Sequence, residues 1–359
     1  MKTIILNINE ENINEYHIQM AADVIKNSGL VVFPTETVYG LGASALNPDA
    51  VAKIFTAKGR PSDNPLIVHI SNRSMVRDLI KNKDLLQDDK YIKLMDKFWP
   101  GPLTIIFEKS DNVCYEVTAG LDTVGIRMPE NKTALKLIEL SGAGIAAPSA
   151  NISGKPSPTL PEHVITDMNG KVDVIISAEK CSVGVESTVL DMTCENPVIL
   201  RPGGVSKEAI EETLEMEVEV AGNIFQNKDN KTDNSPKSPG MKYKHYSPIG
   251  KVLVFKGKEE IVADEINKKA RDSKEAKIKF LILASEQTLC HYEKEHTFVW
   301  GNKENPETFA RNLYSALRYC DEIGAEQIFV EALSGNGIID AVMNRLERAA
   351  EGNIITGGR

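Results

Sequence analysis

Much that would announce a familiar chemistry is missing from these 359 residues. There is no GxxxxGKS/T loop and no GxGxxG opening a helix, so neither common glycine-rich phosphate cradle is available. The five cysteines (114, 181, 194, 290 and 320) form no CxxC and are odd in number. That excludes a complete disulfide framework and a CxxC zinc site, and points to reduced thiols. Cys181 and Cys194 have no histidine near them in sequence and are expected to be packing residues. The six histidines make no HxxxH or HExxH pair, so a protein-bound transition metal is not expected. No apolar run approaches the length of about eighteen residues that a membrane span needs. Met1 to Asn7 turns polar too early for a signal peptide, which makes the cytoplasm the expected location. Basic residues are outnumbered 42 to 51, for a net charge of −9. Strong nonspecific nucleic-acid binding normally needs the opposite balance, though a local basic cleft stays compatible with it.

What is present is ample for globular cores: 42% of the residues are hydrophobic, and the length favours two domains. Spacing predicts helices over about 15–27, 49–56, 90–98 and 133–141. Short apolar runs predict strands at 30–33, 65–70, 103–107, 123–128, 145–147, 172–176, 187–192 and 198–200. Strands and helices are mixed without strict alternation, so an α/β domain with a twisted mixed sheet is expected. The six glutamates between 208 and 219 suggest a solvated helix face. From 223 to 238 the chain is rich in Asn, Lys, Asp and Ser and too polar to offset its ordering entropy. Beyond it, strands at 251–255, 280–283, 297–300 and 327–330 alternate with helices near 259–271, 306–322 and 337–350. That alternation predicts a smaller Rossmann-like domain with a parallel sheet, and the lone Gly257 makes dinucleotide binding there improbable. The expected boundaries are 1–220, a linker over 221–248, and 249–359.

Two short pieces stand out. Lys58-Gly59-Arg60 joins two cations across one glycine, ahead of Pro61-Ser62-Asp63-Asn64-Pro65, and Ser149-Ala150-Asn151 follows the apolar run 145–148. Cations with small donors beside them suit a polyphosphate; a helix C-terminus and a turn would use the same residues. Arg127 lies in an apolar strand and must find an anionic partner, either a ligand carboxylate or an internal Asp or Glu. His69, after Leu66-Ile67-Val68, has the setting of a core histidine. Glu36 and Glu186 are carboxylates among cations, suited either to Mg2+ or to pairing with one of those cations.

The ordered series Phe33-Pro34-Thr35-Glu36-Thr37-Val38-Tyr39-Gly40, Lys58-Gly59-Arg60, Pro65-Leu66-Ile67-Val68-His69, Trp99-Pro100-Gly101-Pro102-Leu103-Thr104, Arg127-Met128-Pro129 and Ser149-Ala150-Asn151 resembles the YrdC-like family of L-threonylcarbamoyladenylate synthases. Gly184-Val185-Glu186-Ser187-Thr188, Arg201-Pro202-Gly203 and the run from Pro239 to Tyr246 resemble its longer, two-domain version. The resemblance implies a YrdC-like twisted mixed-sheet catalytic domain followed by the Rossmann-like domain. It also implies a nucleotidyltransferase that makes threonylcarbamoyl-AMP and pyrophosphate from L-threonine, bicarbonate or CO2, and ATP with Mg2+. The product would pass to the machinery that builds N6-threonylcarbamoyladenosine on tRNA.

Carried over position by position, the resemblance implies Lys58 and Arg60 as catalytic cations. ATP would be held by these two with Asn64, Thr123, Ser149, Asn151, Ser157, Arg201 and Tyr246. Thr37, His69, Arg127, Ala147 and Ser187 would hold threonine. No protein residue is assigned to the metal and no organic cofactor is expected. Tyr243 and Tyr246, beside Lys242, Lys244 and His245, would fold over the occupied site as a lid, unless they simply pack as a linker. Rival readings are a related carbamoyl transferase, whose zinc-finger CxxC pairs are missing here, and an RNA-binding YrdC-like module, which the net charge of −9 disfavours.

Overall fold

The computed structural model describes residues 2–221 and 246–357, which form two compact units. The first takes its described residues from Met1–Ser153, Pro158–Ser182 and Glu186–Lys242. The second takes them from Tyr243–Arg359 together with the short segments Gly154–Ser157 and Val183–Val185. The polar stretch 223–238, and with it Lys242, Tyr243, Lys244 and His245, lies outside the described residues.

Among the described residues of the first unit, eleven strands build one mixed sheet. They are β1 (Ile4–Asn7), β2 (Val31–Phe33), β3 (Gly40–Ser44), β4 (Ile67–His69), β5 (Leu103–Glu108), β6 (Thr123–Arg127), β7 (Ile145–Ala147), β8 (Val174–Ser177), β9 (Thr188–Asp191), β10 (Val198–Arg201) and β11 (Glu219–Val220). Their order is β1-β8-β2-β3-β7-β4-β6-β5-β9-β10-β11. Parallel pairs (β4 with β6, β5 with β9) are mixed with antiparallel ones (β3 with β7, β5 with β6), as expected of a sheet not strictly interleaved with helices.

Two helices, Glu15–Lys26 and Lys132–Ser141, cover one apolar cluster, with Ile18, Ile25, Leu137 and Ile138 against Phe33, Ile145 and Ile176. Helices Pro48–Lys58 and Asp89–Phe98 bury Val51, Ile54, Leu94 and Met95 in a second and larger cluster. Each such side chain contributes about 1.5–3 kcal/mol by burial. The helix starts are fixed locally: the side chains of Asn14, Asn47, Asn131 and Ser206 each accept a first-turn backbone N–H. The glutamate-rich helix is shorter than its charge run, Lys207–Leu214, and stops where Glu215 turns left-handed at φ 54°.

The second unit has the strands β12 (Lys251–Lys256), β13 (Phe280–Ser285), β14 (Thr297–Gly301), β15 (Gln327–Glu331) and β16 (Ile354–Thr356). All pair in parallel, in the order β14-β13-β15-β12-β16, with helices Glu259–Glu275, Glu307–Glu322 and Ile338–Ala349 between them. The parallel α/β character is as expected, but β15 sits between β13 and β12, so the order is not the Rossmann 3-2-1-4-5. Tyr246 belongs to this unit. It is buried at φ 67°, with its ring 5.5 Å from that of Tyr314 and 5.6 Å below the Arg345 guanidinium. Ser157 lies in one of the two short segments of the same unit and is also buried.

Candidate active site

Helix Pro48–Lys58 ends because Gly59 adopts the left-handed conformation, φ 61°, which turns the chain between two cations. Lys58 is buried, and its ammonium donates to the carbonyls of Ser149 and Asn151, with Asn151 Oδ1 at 3.4 Å. Lys58 therefore fixes the loop 149–151 as well as bringing charge. The same loop is stitched to its neighbours by Ala150 N to Tyr39 O, 2.8 Å, and Ser153 N to Lys58 O, 2.9 Å. Ser149 Oγ donates to Asn151 Oδ1 at 2.6 Å. Arg60, also buried, donates to the carbonyls of Asn64 and Pro65 at 3.3 Å each. Asn64 is wholly buried, yet neither its amide oxygen nor its amide nitrogen has a partner among the described residues. An orphaned buried amide is costly unless something else fills the space and bonds to it.

These residues gather at one end of β4. At the other end stands a second group. Parallel pairing sets His69 opposite Arg127, at the end of the three-residue β4. Arg127 donates to Thr37 Oγ1 at 2.8 Å and to Gly101 O at 3.2 Å, and it faces Glu36 Oε2 at 2.6 Å. Glu36 is thus an internal carboxylate partner of the kind open to it on sequence. Thr37 is held in turn by Thr35, whose hydroxyl lies 2.8 Å from its own and donates to Val38 O. His69 is buried, with Nδ1 at 3.2 Å from Ile67 O and its ring edge-on to Phe33. Burial first, and the charge of Arg127 second, push its pKa down to about 3, so the imidazole is neutral.

A third group joins β9 and β10. Arg201 donates through Nε and Nη2 to Ser187 O, at 3.2 and 2.9 Å, and through Nη2 to Ser187 Oγ at 3.2 Å. Ser187 Oγ meets Thr104 Oγ1 at 2.8 Å. Gly203 makes this fold-back possible: a Cβ there would lie 2.2 Å from Thr188 N and 2.4 Å from Glu186 O.

Ala147 ends β7, paired with Ile67, two residues before the Ser149 loop. Thr123 opens β6 opposite Glu108, at the far end of that strand from Arg127. Thr104 and the Gly101 carbonyl were not anticipated as partners of site residues. Their only signal was their place in the run Trp99 to Thr104. Among the described residues, no group of three His, Cys, Asp or Glu side chains could hold a metal ion, and no helix is long and apolar enough to cross a membrane.

Comparison with known proteins is decisive at this point. A family model described as "Telomere recombination" (Sua5, YciO and YrdC) matches residues 23–203, and one described as "Threonylcarbamoyl-AMP synthase, C-terminal domain" matches 205–351. The threonylcarbamoyl-AMP synthase of Pyrococcus abyssi is 44% identical over 353 residues, covering 98% of this chain and 99% of the relative. That of Bacillus subtilis is also 44% identical, covering 96% of each. This chain belongs to the threonylcarbamoyl-AMP synthase family. The crystal structure of P. abyssi Sua5 complexed with L-threonine superimposes with a TM-score of 0.90 at 44% identity, covering 99% of this chain and 100% of that one. As a member of the threonylcarbamoyl-AMP synthase family, the chain brings together Lys58, Arg60, Ser149 and Asn151 around one loop. It brings Thr37, His69 and Arg127 together around one strand end, and Ser187 with Arg201 around another.

Proposed function

We propose that this threonylcarbamoyl-AMP synthase family member carboxylates L-threonine with bicarbonate or CO2. The carbamate oxygen then attacks the α-phosphorus of ATP, giving threonylcarbamoyl-AMP and pyrophosphate. The observation that carries this reading is the pair of buried groups at the two ends of β4. Cations and an orphaned amide sit at one end, and an arginine with small hydroxyl and imidazole partners at the other. A triphosphate meets Lys58, Arg60, Asn64, Ser149 and Asn151, with Arg201 added from β10, while Thr123 completes the nucleotide contacts of the first unit. Threonine places its carboxylate on Arg127 and its hydroxyl near Thr37 and neutral His69, with Ala147 and Ser187 closing the pocket around it. Lys58 and Arg60 stabilise charge that builds up on the phosphate oxygens as pyrophosphate leaves.

Mg2+ would come with ATP and supply charge to the phosphates, and no protein residue is assigned to it; Glu36, one of the two carboxylates suited to it, faces Arg127. The labile mixed anhydride is then taken by the cytoplasmic tRNA threonylcarbamoyl-transfer machinery; any direct RNA contact is weak on a chain of net charge −9. The test is pyrophosphate release with ATP, Mg2+, bicarbonate and threonine, each omitted in turn, while the adenylate is followed by rapid mass spectrometry. Release that is independent of threonine would defeat the proposal.

A further inference from the structure

The second unit holds a cavity of about 270 Å3 at the carboxyl edge of its parallel sheet. Its base is where β12 and β15 end side by side, at Gly257 and at Glu331 to Ser334. The chain leaves these two neighbours in opposite directions. After β12 it runs through helix Glu259–Glu275 to β13 on one side, and after β15 through helix Ile338–Ala349 to β16 on the other. Each of these connections crosses over the other strand; the divergence lies one strand along, between β13, which leads outward to β14, and β15, which leads the other way to β16, and Glu331 ends β15 on its flank. Open parallel α/β sheets bind their ligands outside the carboxyl ends of the strands at such a point.

Glu331 lines this crevice and is only 6% exposed. Its Oε1 accepts from the Tyr292 hydroxyl at 2.5 Å and its Oε2 from the Thr288 hydroxyl at 2.8 Å. Both donors are neutral, and among the described residues Glu331 has no ion pair. A carboxylate has about four acceptor positions, so two are still open. A buried charge without a cation calls for further donors. Burial and the neighbouring Glu331 raise the Tyr292 phenol well above its usual range, which keeps it a donor.

The other walls set the positive ends of three helix dipoles beside a Glu259–Lys303 ion pair. All three long helices of the unit begin at the cavity, which touches Glu259, Pro306 and Ile339, and none has a side chain accepting its first N–H groups. Lys303 adds an ammonium at the rim, 2.6 Å from Glu259. Phe309 and Leu333 supply an apolar surface. Gly257, at φ 154°, opens the turn after β12 in a conformation that side chains resist.

We propose that this crevice is a mononucleotide-binding site. Ribose hydroxyls donate to Glu331, the phosphate lies against the helix starts and Lys303, and the base rests on Phe309 and Leu333. A ribose phosphate carries hydroxyl donors and an anion on one frame, which a free anion or a free amine does not. The volume suits one nucleotide, in keeping with the lack of a dinucleotide fingerprint. None of this depends on the reaction proposed above.

The experiment is calorimetric titration of the full-length protein with AMP, ribose 5-phosphate and adenosine. AMP binding that survives Arg60→Ala and weakens about tenfold in both Glu331→Gln and Lys303→Ala is expected, from the strength of charge-assisted hydrogen bonds. Ribose 5-phosphate should compete with AMP for this site, and adenosine should bind more weakly. Lys303 is a rim residue with its side chain 39% exposed, so its replacement tests the site without threatening the fold. Absence of AMP binding, loss of all binding in Arg60→Ala, or unchanged binding in both second-unit variants would overturn the proposal.

Discussion

Glu36 and Arg127 face each other across 2.6 Å in a setting where both side chains are almost wholly buried. The contact is one of charge rather than of an aligned hydrogen bond: Arg127 Nη2 and both Glu36 oxygens lack a well-directed partner among the described residues. Arg127 is instead aimed by Thr37 and Gly101. A substrate carboxylate arriving here meets a guanidinium already desolvated and oriented. Removing one partner of a buried pair strands the other. Arg127→Ala should therefore cost about 3–5 kcal/mol of stability. The double replacement Arg127→Ala with Glu36→Gln should recover most of that loss without recovering threonine-dependent turnover. Urea unfolding alongside pyrophosphate release separates the two effects; a double variant no more stable than the single would refute the stranded-charge account.

His69 gives the fold an acid-side liability. Its pKa is about 3 in the folded chain, against 6.5 in the ordinary case. Between those values the unfolded state holds the extra proton, so stability rises with pH, by at most about 1.4 kcal/mol per pH unit from this group. The contribution is complete above pH 6.5 and is lost progressively as the pH falls toward 3. Urea midpoints from about pH 4.5 to 7.5 should slope less steeply in His69→Gln than in the parent. Equal slopes would mean that the imidazole is not held neutral.

Lys58 and Ser149 should differ in what their loss does. Lys58→Ala leaves two carbonyls, those of Ser149 and Asn151, without their donor. It should cost about 1–3 kcal/mol and also raise the KM for ATP. Ser149→Ala removes one hydroxyl from the loop and should raise the ATP KM with a smaller change in melting temperature. Matched melting curves and ATP saturation curves would check the split.

Gly203 is the least replaceable glycine near the site. A methyl group at this position meets backbone on two sides, at Thr188 N and Glu186 O. Gly203→Ala should displace the segment carrying Ser187, destabilise by about 1–3 kcal/mol or more, and lower kcat/KM for both substrates. Parent-like activity and stability would show that the fold-back has slack.

The helices were legible because their signals are local. Pro48 at the first turn and Gly59 at the end bracket one, and Ser206 starts another. Strand β3 was not legible, since Gly-Leu-Gly-Ala-Ser has little intrinsic preference for a sheet. It is a strand because Gly40 and Gly42 let it lie close to Phe33 and Ile145, a demand made by other strands rather than by its own residues. β1 pairs with β8 across some 170 residues of sequence, and no local pattern foretells that partner. In the site, the cations and the Ser149 loop were readable as motifs. The choice of Glu36 as the partner of Arg127, and the Thr104–Ser187 contact, depend on strand register and could not be read in advance. Tyr246, expected at the nucleotide, has its ring against Tyr314 and under the Arg345 guanidinium.

His69 and Arg127 occupy paired positions on two parallel neighbours, so the distance between imidazole and guanidinium is set by the spacing of the sheet. Loss or gain of a single residue in β4 or β6 would turn one of the two to the opposite face. Variation in this pocket is therefore confined in kind. Length changes are barred from its floor, and any drift or redesign of amino acid preference has to come through substitutions, above all in the chain segments around Thr37 and Ser187 that cap the strands.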